Sequence, residues 1–113
     1  MEEQYDILMR RIISFAIQVQ CYQSQLDKNE AAIKTLSDIT LNLLNKGYQK
    51  PQSQQYLHPG IVVQSEEFQA TINLISNNIL KLDRLREESE KLEIYKQFAE
   101  DQRQAYESEL ENL

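Results

Sequence analysis

The chain has 113 residues, of which 41% are hydrophobic and 27% charged; it contains no tryptophan and carries a formal net charge of -6. That length favours one domain, and the composition suits long, partly exposed helices better than a thick globular core. The acidic balance argues against a nucleic-acid or anionic-membrane partner, because binding phosphate requires a basic surface.

At the N-terminus, Arg10-Arg11 followed by IISFAIQV has the outline of a signal peptide. Glu2, Glu3 and Asp6 precede it, however, and Gln18 and Gln20 interrupt the apolar run early. No run approaches the roughly 20 apolar residues needed to span a bilayer. Cys21 is the single cysteine, so an internal disulfide is impossible and a buried structural thiol is the expected role. These features place the chain in a reducing, cytoplasmic setting, with the nucleus left open.

From Tyr5 onward the apolar residues recur in steps of three and four: Leu8, Ile12, Phe15, Val19, Tyr22, Leu26, Ile33, Leu36 and Leu43. This spacing predicts a first helix over about 2–46 with a coiled-coil seam along its length. Asn29 and Thr40 fall at core-type positions of that seam. A buried Asn can fix register or oligomeric state at a cost in stability, or it can sit beside a gap or water. Lys46 followed by Gly47 reads as the stop.

Residues 47–64 form the connector and hold both glycines and both prolines of the chain. Tyr56 and Leu57 on one side of Pro59-Gly60, and Ile61, Val62 and Val63 on the other, are β-favouring residues flanking a turn pair. They predict either a short β-hairpin or a plain loop. Pro-Gly suits a type II turn, whereas tight hairpins prefer primed turns.

Ser65 before Glu66-Glu67 reads as the N-cap of a second helix over about 65–112. Its apolar stripe is read through Phe68, Ile72, Ile75, Ile79, Leu82, Leu85, Leu92, Tyr95, Ala99, Tyr106, Leu110 and Leu113. Two successive steps of three at Ile79-Leu82-Leu85 imply a local shift of the supercoil. The expected fold class is therefore all-α: an antiparallel coiled-coil helical hairpin of two long helices in a single domain, 1–113.

No set of residues in the chain has the pattern of an active site. His58, the sole histidine, has no cysteine or paired carboxylates near it, and no phosphate-cradling loop, nucleophile elbow or metal-ligand spacing occurs. The carboxylates of the second helix read as a solvated face. No catalytic residue, cofactor or metal is expected. Apolar residues off the seam, including Ile7, Met9 and Ile13 on the first helix and Leu74, Leu80, Ile94 and Phe98 on the second, exceed what one helical partner covers. They point to further helical protein chains or to a binding role, with Ile7, Met9 and Ile13 as the candidate client or partner contact.

Gln25-Leu26-Asp27-Lys28-Asn29-Glu30 with Leu36, and Tyr56-Leu57-His58-Pro59-Gly60-Ile61-Val62-Val63-Gln64, are together similar to the first-helix stretch and hairpin of β-class prefoldin subunits. The resemblance covers roughly Gln25 to Leu92. The glutamine-rich connection from Gly47 to Gln54 and the proline in the turn depart from that pattern. The resemblance implies that Tyr56, Leu57, Ile61, Val62 and Val63 assemble with strands of other subunits. It also implies that the distal helix ends hold unfolded client proteins. The alternative is a structural subunit of a fixed complex, such as a tethering, kinetochore, nuclear-pore or transcription-coactivator assembly.

Overall fold

The computed structural model describes residues 2–54 and 66–113, with only the backbone described for 47–54. Two helices account for nearly all of it: α1, Glu2–Gln54, and α2, Glu66–Glu111. The fold is an all-α helical hairpin. The hairpin strands predicted around Pro59-Gly60, with Tyr56, Leu57, Ile61, Val62 and Val63, and the Ser65 cap all lie outside the described residues.

The helices form where nothing interrupts the backbone bonding pattern. No Gly or Pro occurs in 2–46 or 66–111, and Glu2, Glu3, Glu66 and Glu67 set negative charge at the positive ends of the two helix dipoles. Side-chain bonds four residues apart brace the exposed faces. Gln23 Nε2 donates to Asp27 Oδ1 at 2.8 Å, and Gln97 Nε2 donates to Asp101 Oδ1 at 2.9 Å.

Helix α1 ends later than the sequence predicts, passing Gly47 and Pro51 to reach Gln54. No described glycine takes a positive φ, so Gly47 does not form the left-handed cap that would stop the helix. Gly47 costs about 1 kcal/mol relative to alanine but keeps its N–H. Pro51 removes one N–H near the end of the helix, where a single lost bond need not terminate it.

The chain divides into two compact units. The first combines Met1–Glu30 with Glu87–Leu113, and the second is Ala31–Arg86. In the first unit Phe15 stacks on Tyr106 with centroids 5.9 Å apart, Tyr22 meets Tyr95 at 6.0 Å, and Asn29 meets Ser89. As numbers rise along α1 they fall along α2, so the pairing is antiparallel. In the second unit, residues 31–39 of α1 and 81–85 of α2 line one groove.

Packing follows a strict alternation of three and four. On α1 the covered stripe is Leu8, Ile12, Phe15, Val19, Tyr22, Leu26, Asn29, Ile33, Leu36, Thr40 and Leu43, as the sequence predicts. On α2 it is Phe68, Thr71, Ile75, Asn78, Leu82, Leu85, Ser89, Leu92, Lys96, Ala99, Arg103, Tyr106 and Leu110. Here the structure corrects the sequence reading. Ile72 and Ile79 are exposed, while Asn78, at 4% exposure, takes the core position assigned to Ile79 at 46%. Tyr95 and Leu113 are also exposed, Lys96 occupies the seam beside Tyr95, and the seam spacing never slips. Only Leu8, Leu26, Leu82 and Ala99 are buried hydrophobic residues among those described, so two helices alone enclose little apolar surface.

Candidate interaction surfaces

The seam holds polar residues at several levels, and those of the first unit meet groups of matching chemistry. Asn29 is buried there. Its Nδ2 donates to Ser89 Oγ at 3.4 Å, and its Oδ1 accepts from Gln25 Nε2 at 3.1 Å. Lys96 Nζ donates to Gln23 Oε1 at 2.6 Å, so a seam lysine passes its stem over the core and delivers its charge to the rim. Arg103 bonds Glu100 through Nη2, while its buried Nε lies 3.8 Å from Glu107 Oε1, beyond hydrogen-bond reach. Arg11 stands 5.3 Å from the centre of the Tyr106 ring, a cation over an aromatic face.

In the second unit Thr40 and Asn78 are both buried. Thr40 Oγ1 donates to the Leu36 carbonyl at 2.7 Å, turning its polarity back onto its own helix.

Apolar residues outside the seam remain uncovered. Ile13 and Ile17, four residues apart on α1, are exposed, and half-buried Met9 lies one turn before Ile13 on the same face. Ile7 is exposed as well but does not join them: two residues from Met9, it lies on the far side of the helix. It borders a cavity of about 470 Å³ with Leu8, Arg11, Glu109 and Leu113. The three predicted contact residues therefore form two surfaces. On α2 of the same unit, Ile94 at 67% and Phe98 at 60% make a second exposed pair four residues apart.

Cys21 is exposed, which corrects the expected buried thiol. It precedes the seam residue Tyr22 by one position, which turns it about 100° away from α2. Tyr5 is exposed too, one step beyond the end of the covered stripe.

Among the described residues no group of three His, Cys, Asp or Glu is arranged to hold a metal ion, and no helix is long and apolar enough to cross a membrane. His58 lies outside them. No protein-family model, curated protein or solved structure matches the chain.

Proposed function

We propose that the chain is a non-catalytic coiled-coil subunit of a hetero-oligomeric protein assembly, most specifically a prefoldin-like chaperone subunit that holds unfolded clients. The observation carrying this reading is the pair of uncovered apolar stripes, Ile13-Ile17 on α1 and Ile94-Phe98 on α2, in a unit whose seam is already occupied. Large apolar side chains spaced four apart on a helix form a surface that another helix or an unfolded apolar segment can cover. Polar groups in the seam support the same reading, because they favour one register over alternatives.

The chaperone form of the reading draws on the resemblance of Tyr56 to Gln64 to an assembly hairpin. The scaffold alternative draws support from the length of α1, whose extension to Gln54 leaves only residues 55–65 between the helices. Two substitutions test the shared core of both. Ile13→Asp combined with Ile17→Asp alters an exposed face and leaves the seam intact. The tagged double variant is expected to lose the companion chains that the unsubstituted chain retains at fixed stoichiometry, while keeping its helical circular dichroism. Retention of the same chains at the same ratio contradicts the reading. Suppression of aggregation when a chemically unfolded model protein is diluted into the purified assembly then separates chaperone from scaffold.

A further inference from the structure

A different surface lies in the second unit. Its two helices bound an open groove of about 630 Å³, with Leu36 and Leu85 from the seam as its floor and Ala32, Thr35 and Ile39 along its α1 wall. Ala32 and Ile39 are seven residues apart, so this wall follows α1 for about 10 Å, two helical turns. Ala32 and Thr35 are small enough to let another backbone come close, while exposed Ile39 offers an apolar anchor. The α2 wall carries Lys81 and Arg84, one turn apart, and these are the charged side chains of the lining. Among the described residues neither forms an ion pair. An apolar trough whose charged lining residues are both cations stands out on a chain with a net charge of -6.

We infer that this groove takes an amphipathic helix of a partner chain, one with an apolar stripe flanked along one side by carboxylates that meet Lys81 and Arg84. Charge complementarity selects this occupant: a basic or neutral helix of the same shape would leave both cations facing no opposite charge as its bulk displaced water from them. The inference deepens the assembly reading and rests on it, since it names the chemistry of one partner surface.

The test uses the purified full chain and two synthetic helical peptides of about 20 residues. They share a leucine stripe and differ only in having glutamates or lysines along one flank. In fluorescence anisotropy at low salt, the glutamate peptide is expected to bind at least about tenfold more tightly than the lysine peptide, a gap that narrows at high salt. The chain carrying Lys81→Glu and Arg84→Glu, both exposed positions, is expected to stay helical and to prefer the lysine peptide. Binding of neither peptide, equal binding of both, or a preference that survives the charge reversal overturns the inference. So does sedimentation showing that the reversal dissolves a self-assembled form of the chain while peptide binding is absent, because the occupant is then a second copy. The peptide assay needs no native companions, so its failure leaves the Ile13 and Ile17 test standing as a separate measure of the assembly.

Discussion

Asn29 Nδ2 reaches Ser89 Oγ across the helix pair at 3.4 Å, joining a buried polar group of α1 to the one serine in the α2 seam. The contact sets the turn of α1 around Asn29 opposite the turn of α2 around Ser89. A slip by one heptad toward Leu82 would bury the Asn29 amide against an apolar side chain, where its hydrogen bond would be lost at about 1 to 3 kcal/mol. Asn29→Leu is accordingly expected to raise the melting temperature while broadening the oligomeric distribution, because apolar packing improves as the constraint on register is removed. Calorimetry and light scattering on the same samples check both halves. A lower melting temperature with an unchanged distribution contradicts the register role.

The α2 seam makes a sharper prediction. Leu82→Ala removes a buried side chain and is expected to cost about 2 to 5 kcal/mol, whereas Ile79→Ala, on the exposed flank, is expected to cost less than about 1 kcal/mol. Chemical denaturation of the two variants distinguishes the positions. Equal losses restore Ile79 to the core and contradict the seam described here.

Ala99 is 1% exposed, the most completely buried of the core residues. Ala99→Leu adds three heavy atoms at a site without room for them and is expected to destabilise by about 1 to 3 kcal/mol through displaced neighbours. Glu93→Gln, on the exposed face, is expected to leave the melt within about 0.5 kcal/mol of the unsubstituted chain. A stabilising Ala99→Leu change would mean that the helices are not in close contact at that level.

Much of this fold is legible in the sequence, and the misreadings have one main cause. On α1 an apolar residue stands at every step of the three-four alternation except Asn29 and Thr40, so hydropathy and period give the same stripe although Ile7, Ile13, Ile17 and Ile39 lie outside it. On α2 they part company: Ile72 neighbours the seam residue Thr71, Ile79 neighbours Asn78, and Tyr95 neighbours Lys96. Following hydropathy moves the stripe one residue from the covered seam toward its exposed flank at each place, where Tyr95 still meets Tyr22, and creates an apparent slip at Ile79-Leu82-Leu85. Following the seven-residue interval back from Tyr106 through Ala99, Leu92 and Leu85 leads directly to Asn78 and Thr71. Gly47 misleads for another reason, since glycine is a strong stop signal only where it adopts the left-handed conformation. The groove edged by Lys81 and Arg84 is not visible in one helix at a time, because its floor and walls come from both.

This chain's own hairpin leaves apolar faces uncovered, and we propose that other chains cover them. Sedimentation of the purified chain alone, with circular dichroism melts at two concentrations, tests it most directly. The expected result is a helical species whose apparent mass rises above 13.3 kDa and whose melting temperature rises with concentration. A 13.3 kDa monomer that melts cooperatively at a concentration-independent temperature would contradict it.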